Sequence, residues 1–306
     1  MNKRNGTNRI WKGCLCAVGC ELIFGLSYMF TKQATSVSSP FALLSWRFVM
    51  AFLIMTICIV FGFVKMDLKG KKLTPLIIVS LFNPLIYFIG ETVGIGCTTA
   101  SESGSFLACI PIVSLLASTF ILKKRPNRYQ IIGICITLTG VLLTVFAAGL
   151  EASFSLTGYI MLLVAVISYA LYGVFVEKAS EFTGAEITYI MIAAGAAVFG
   201  ILAITEGFYK GSIKSLLVLP FINFDFLMAI LYQGIGCSVM AFFLSNLAIA
   251  NIGMNRVASF IGISTAVSIL AGIVVLKEHF SLCQLAGVVL ILAGVYAANI
   301  RQNSYN

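Results

Sequence analysis

The segment from Ser105 to Val141 occurs twice in the chain. Its echo runs from Ser259 to Val295 at a constant offset of 154 residues, and 13 of the 37 aligned positions are identical without a gap. Shared positions include Phe106/Phe260, Lys123/Lys277, Gln130/Gln284, Gly133/Gly287 and Gly140/Gly294. Self-similarity at a fixed spacing marks an internal duplication. Each copy is an apolar run, a short polar break and a second apolar run. The offset is close to half of the 306 residues, so the sequence divides into two tandem halves, 1–152 and 153–306.

Composition restricts what such halves can be. The chain is 60% hydrophobic and 10% charged, with a mean hydropathy of +1.03. A soluble domain carries about 25% charged residues. Apolar runs of about 20 residues recur, and at 1.5 Å per residue each is long enough to cross a hydrocarbon layer of about 30 Å. The alternation of a barrel strand is absent. The expectation is an all-α membrane protein with ten transmembrane helices, placed at roughly 11–32, 41–64, 73–91, 99–122, 129–149, 156–177, 185–205, 224–247, 254–276 and 281–299. The longest connection is about 206–223, so no soluble domain is expected. The basic N-terminus runs into a first apolar stretch without a clear small-residue cleavage site, which reads as an uncleaved first span.

The excess of +9 charges would suggest nucleic acid in a soluble chain. Here Lys and Arg gather at span ends and set topology instead, so no nucleic-acid partner is expected. With the N-terminus inside, 15 Lys and Arg fall in inner segments and four in outer ones, with Arg47 inside a span. Both termini are therefore expected in the cytoplasm of a cell (plasma or inner) membrane. Five spans per half is an odd number, so the second half inserts upside down. The two charge breaks agree: Lys123-Lys124-Arg125 faces in and its mate Lys277-Glu278-His279 faces out. Two inverted five-helix repeats are a design of alternating-access carriers.

The order of several motifs resembles the drug/metabolite transporter superfamily, specifically its EamA-type ten-helix carriers. Each half of such carriers ends in a span opening on small polar residues, a Pro midway, an acidic break, Gln-x-x-Gly and a Gly-rich span. Ala100-Ser101, Pro111 and Gln130-x-x-Gly133 match in the first half, and Lys277-Glu278 with Gln284-x-x-Gly287 in the second. Phe24-Gly25 stands where the family shows Trp-Gly, and Pro40 followed by Arg47-Phe48 matches its second span. Lys124 replaces the first-half acid and Thr265 the second-half Pro. The resemblance implies a carrier of small metabolites without fixing the cargo.

Several residues are candidates for the solute pathway. Glu21 lies near the middle of the first span, where a carboxylate costs about 2.5–3.5 kcal/mol on insertion scales and calls for a cavity or a partner. Glu21, Gly25, Tyr28 and Lys32 share one helix face. Glu21 is read either as a substrate or proton site or as the ion-pair partner of Arg47, itself read as a structural guanidinium clamp or a substrate ligand. Asn83, Tyr87 and Glu91 are spaced by fours on the third span. Asn83-Pro84 removes a backbone bond, which predicts a kink or unwound turn. Glu91 is either part of that face or solvated outside. Ser105 and its mate Ser259 stripe the fourth and ninth spans, while Glu102 and its mate Arg256 are either vestibule charges or interface anchors. Tyr169, Tyr172, Tyr232, Gln233 and Gly236 add hydroxyl, amide and open backbone at mid-depth. Gly133, Gly140, Gly287 and Gly294 are expected to pack helices.

His279 is the single histidine, and the nine cysteines show no C-x-x-C, so no metal, haem or other cofactor is expected. A G-x-x-x-x-G-K-[ST] loop is missing, which argues against direct ATP drive. The leading expectation is a secondary active transporter of small organic solutes, amino-acid-like or other, working as an exporter. It is expected to be a monomer, because ten helices enclose a site alone. A proton-coupled exporter of cationic or amphipathic compounds is the alternative, with Glu21 as the coupling group. A membrane enzyme or receptor fits less well, because the acids are scattered and neither explains an inverted duplication.

Overall fold

A computed structural model describes residues 2–98, 106–107, 109–147, 155–276 and 282–299, and the described secondary structure is entirely helical. In chain order the helices are α1 (Asn2–Thr35), α2 (Pro40–Val60), α3 (Thr74–Cys97), α4 (Ile110–Ile121), α5 (Arg128–Ala147) and α6 (Leu156–Lys178). They continue with α7 (Gly184–Tyr209), α8 (Ile213–Ile222), α9 (Phe224–Ile252), α10 (Met254–Ser259), α11 (Ile261–Leu276) and α12 (Leu282–Asn299). Among the described residues six helical stretches are long and apolar enough to cross a membrane: Asn8–Thr35, α2, α3, α6, α7 and α9. Shorter apolar helices accompany them, including α4, α8 and parts of α5 and α12.

Local chemistry sets several helix starts. Pro40 occupies the first turn of α2, where its missing N–H costs nothing, and the Ser39 hydroxyl accepts from Ala42 N at 3.1 Å. Thr183 and Glu186 cap α7 reciprocally, each side chain accepting from the other's backbone N–H. Asn223 caps α9 by accepting from Phe226 N at 2.9 Å.

Two helices lose regular α-geometry inside the bundle. In α3 residues Leu81–Ile86 widen into a π-helical turn, and Asn83 leaves helical geometry at φ −143°, ψ 117°. This matches the interruption expected at Asn83-Pro84. In α9 residues Tyr232–Ala241 are π-helical throughout. At the repeat offset, 81–86 falls on 235–240, inside that second stretch. Widened turns displace side chains from their α-helical register, and such bulges recur at functional sites.

Three features refine the expected spans. The connection at 206–223 contains α8, which docks on α2 where the Trp46 indole donates to Leu216 O at 2.9 Å. The third helix continues to Cys97, so Glu91 lies within it and not beyond its end. The run expected as one span at 254–276 breaks at Phe260 into α10 and α11.

The most extensive pairings join an element before residue 148 to one after residue 155: α5 with α12, α2 with α7, α3 with α6, α1 with α9 and α11, and α4 with α6. At the centre Phe48 lies within 5.4–6.1 Å, centroid to centroid, of Phe199, Phe88 and Phe242, filling a notch that Gly195 leaves on α7. The outer surface stays apolar, with Phe120, Ile201 and Leu163 exposed, as a lipid-facing surface requires.

Helices α5 and α12 touch backbone to backbone. A Cβ on Gly133 would stand 2.4 Å from Ala298 N and 2.6 Å from Gly294 O; on Gly140 it would stand 2.6 Å from Gly287 O. Rising numbers on one helix meet falling numbers on the other, so the pair is antiparallel. Gly133→Ala or Gly294→Ala should therefore force the helices apart and cost about 1–3 kcal/mol. Gly200→Ala, with nothing within 4 Å of the added carbon, should be neutral or stabilise by up to about 1 kcal/mol. Thermal melts of the three purified variants in detergent check this contrast.

Candidate functional site

A chain of buried polar side chains crosses the middle of the bundle, with contributions from α1, α2, α3, α6, α7, α9 and α11. It begins at Glu21 on α1, which is 3% exposed and has the Ser264 hydroxyl of α11 against its carboxyl. Tyr169 on α6 is close enough to Glu21 to interact electrostatically. Its ring lies 5.5 Å from Tyr172 and 5.4 Å from Tyr87 on α3. The Tyr172 hydroxyl donates to Asn246 Oδ1 at 2.7 Å. The Asn246 amide in turn donates to Thr188 Oγ1 at 2.9 Å, which binds α6, α9 and α7 together. Asn246 and Thr188 are fully buried, so each bond replaces one otherwise lost to water.

The chain ends at Arg47 on α2. Its Nε donates to Ser238 Oγ at 2.7 Å and its Nη1 to Gln233 Oε1 at 3.3 Å, both on the π-helical stretch of α9. Gln233 is fixed in turn, its Nε2 donating to Thr31 Oγ1 on α1 at 2.9 Å. Gly234 makes this approach possible, since its missing Cβ would stand 3.1 Å from Arg47 O. The guanidinium lies 4.6 Å from the Phe88 ring centre and 5.4 Å from that of Phe48, and aromatic faces attract it there. Glu91, one turn after Phe88, accepts from the Tyr87 hydroxyl at 2.7 Å and interacts with Arg47 electrostatically. It is partly buried inside the bundle, which removes the reading of a carboxylate solvated outside.

The ion pairs among the described residues are Lys71–Glu186, Lys124–Glu177 and Lys210–Glu206; Glu21–Arg47 is not one of them. That pair was one of the two readings of Glu21. The π-helical stretch of α9 intervenes with better-placed acceptors for Arg47, while Glu21 turns toward α11. Gly25 is also reassigned: a Cβ there would meet Val267 Cβ at 2.6 Å and Ser264 O at 2.8 Å, so it lets α1 press on α11.

The other expected residues divide by position. Tyr232 donates to Ile23 O at 2.8 Å, and Gly236 lies across from Ile23 with ordinary clearance, both half-buried between α9 and α1. Asn83 is buried where the α3 break packs on α6 and α7. Ser259 donates to Arg256 O at 2.7 Å, and both are buried in α10. Tyr28 belongs to α1. Its side chain, with Glu102 and Ser105, lies outside the described residues.

Sequence reading missed Thr31, Thr188, Ser238, Asn246 and Ser264. Asn246 carried a visible signal, an amide inside an apolar run. The hydroxyls did not, because Ser and Thr in a span usually satisfy themselves on the preceding turn.

Acidic side chains also tie loops to helices at the bundle ends. Glu177 accepts from Met254 N at 2.9 Å and pairs with Lys124, joining the α4–α5 break to the start of α10. Glu186 accepts from Asp67 N and Lys71, holding the α2–α3 connection on α7. Glu206 accepts from the Ser39 hydroxyl at 2.5 Å and from Lys210.

These features define a polytopic helical membrane protein with a buried polar core drawn from both halves. The EamA-like transporter family matches residues 11–146 and again 156–300, and the chain belongs to that family. It is 33% identical over 288 residues to the "Uncharacterized transporter YcxC" of Bacillus subtilis (strain 168), covering 94% of this chain and 92% of that one. A second Bacillus subtilis relative, "Uncharacterized transporter YyaM", is 23% identical over 304 residues, with 94% of each chain covered. A solved structure titled only "Crystal structure of protein" matches with a TM-score of 0.76 at 16% identity, over 94% of this chain and 98% of its own, and so shares the fold. The protein is thus a multi-span membrane transporter of the EamA-like family, and its relatives are named as transporters, not enzymes.

Removing one hydroxyl tests how firmly the polar chain is built. Tyr172→Phe leaves the buried Asn246 Oδ1 without its 2.7 Å donor, which should cost about 1–3 kcal/mol. The same change in an Asn246→Ala background should cost clearly less. A thermal double-mutant cycle measures the difference.

Proposed function

We propose that the protein is a secondary active transporter that exports small organic metabolites, amino-acid-like or other small solutes, by alternating access. In this reading it has ten spans in two inverted five-helix repeats, with both termini cytoplasmic in the cell membrane. The observation that carries it is the α5–α12 contact. These helices are repeat equivalents at the offset of 154, yet they run antiparallel, and Gly133 meeting Gly294 maps onto Gly287 meeting Gly140. Equivalent helices crossing antiparallel are related by a two-fold axis perpendicular to them. If both span the bilayer, that axis lies in its plane. The remaining pairings follow the same exchange: α1 on α11 answers α6 on α4, and α1 on α9 answers α6 on α3. Each half can then take the other's conformation and open the opposite side.

The acidic ties fit such a cycle. With the N-terminus inside, Glu177 and Glu186 clamp the inner end and Glu206 the outer end, and the two sets would loosen in opposite phases. The polar chain between them would meet the solute, with Tyr87, Tyr232, Gly236 and Gln233 bordering its half-buried part.

The proton-coupled exporter of cationic or amphipathic compounds keeps one specific observation. Glu21 is a buried carboxyl with no ion-pair partner among the described residues. Flux in proteoliposomes separates the readings. Wild type should move solute down an imposed solute gradient. Glu21→Gln should fold; if Glu21 couples protons, it should lose pH-driven flux by about tenfold or more while keeping solute binding. Flux in Glu21→Gln that still follows a pH gradient removes Glu21 from coupling, and a wild type that moves nothing across a broad panel of metabolites and organic cations removes the transport reading.

A further inference from the structure

We propose that Arg47 is the cargo anchor and that it binds the carboxylate of a monoanionic organic solute through Nη2. The inference rests on the transporter reading and deepens it. Arg47 is 5% exposed, and two of its three nitrogens are taken, Nε by Ser238 and Nη1 by Gln233. Among the described residues Nη2 is buried without any hydrogen-bond partner. A buried guanidinium nitrogen left unpaired is costly, and structural arginines complete their donors on carbonyls or carboxylates. Here the structure does the reverse. Ser238 and Gln233 hold the fork rigid, Thr31 holds Gln233, and Phe88 and Phe48 flank the plane. Every polar contact on the side chain is supplied by protein except the one at Nη2, which is buried and awaits a partner.

Glu91 is the obvious internal partner, and it is placed short of that role. Its carboxylate accepts from the Tyr87 hydroxyl at 2.7 Å and makes no ion pair with Arg47 within 4.0 Å. A carboxylate brings one negative charge, matching the single free nitrogen and its two N–H donors. A donor elsewhere on the same solute would suit Glu91. Gln233, Tyr87 and Phe88 bring α9 and α3 to the same place, so binding there would touch elements from both halves.

The test uses full-length carrier purified in detergent. Lactate, mandelate and phenylacetate are each compared with their primary amide at equal ionic strength, alongside inorganic phosphate. At least one acid should raise the wild-type melting temperature by about 2–4 °C where its amide does not. Arg47→Lys should raise the half-saturating concentration of that acid by about tenfold or more, because an ammonium cannot reproduce the held fork. Arg47→Gln should abolish the difference between acid and amide. If Arg47→Gln does not fold, Ser238→Ala and Gln233→Ala report instead, each raising half-saturation several-fold by loosening the guanidinium. Equal stabilisation by acid and amide, preference for phosphate, no acid-specific shift across the panel, or wild-type acid binding in these variants overturns the anchor. An uncharged solute moved equally by wild type and Arg47→Gln overturns it while leaving transport standing. Acid binding lost with Arg47, in a carrier that moves no solute, keeps the anchor and removes the transport reading.

Discussion

Hydrocarbon tails are as apolar as leucine, so burying leucine against leucine gains a membrane helix little over leaving it in lipid. Association inside a bilayer rests on close backbone approach and on buried polar bonds. This bundle has both. Gly133, Gly140, Gly287 and Gly294 bring α5 and α12 into backbone contact. Tyr172, Asn246, Thr188, Arg47, Ser238, Gln233 and Thr31 stitch the centre. The glycine contacts and the bonds of Arg47 and Thr31 to α9 join the two halves, while the Tyr172–Asn246–Thr188 bonds tie α6, α9 and α7 within the second.

The polar centre has a cost that the fold accepts at a few atoms, Arg47 Nη2 and Asn83 Oδ1 among them. Most of its donors are satisfied, and those bonds are worth more where water is scarce. Arg47 is the charged one among the exceptions, a cation held by neutral partners and aromatic faces, with Glu91 near but engaged by Tyr87. The π-helical stretch of α9 makes this possible. By rotating Gln233 and Ser238 out of α-helical register and placing Gly234 against α2, it delivers two acceptors to one guanidinium. The break at Asn83 falls at the corresponding repeat position in α3. Irregular backbone at membrane depth is tolerated where protein covers it or a cavity is lined, so two such interruptions mark where the bundle departs from simple packing.

Much of this was legible beforehand. Run length and composition called for apolar helices, because a chain in hydrocarbon must satisfy its backbone internally. The spacing of Gly133 and Gly140 on one face, repeated at Gly287 and Gly294, pointed to close packing, and Asn83-Pro84 to a break. Glu21 and Arg47 were marked as buried by the cost of placing charge in a span. Their partners were not legible. A pairing of Glu21 with Arg47 satisfied depth and charge on paper. The structure gives Arg47 to α9 and turns Glu21 toward Ser264, because lateral neighbours depend on helix rotation and crossing, which one-dimensional depth does not contain.

The sequence by itself determined the class of structure, the duplication, the glycine stripe and the rare polar residues that had to be buried. These follow from local rules: helix period, residue size and the cost of charge in an apolar medium. Only the tertiary structure decided which of those residues meet. It set Asn246 between Tyr172 and Thr188, extended α3 past Glu91, made a helix of residues 213–222, and left one nitrogen of Arg47 facing no partner among the described residues. Such facts depend on how α2, α3, α6, α7 and α9 rotate against one another, and that rotation is fixed by contacts between residues far apart in sequence.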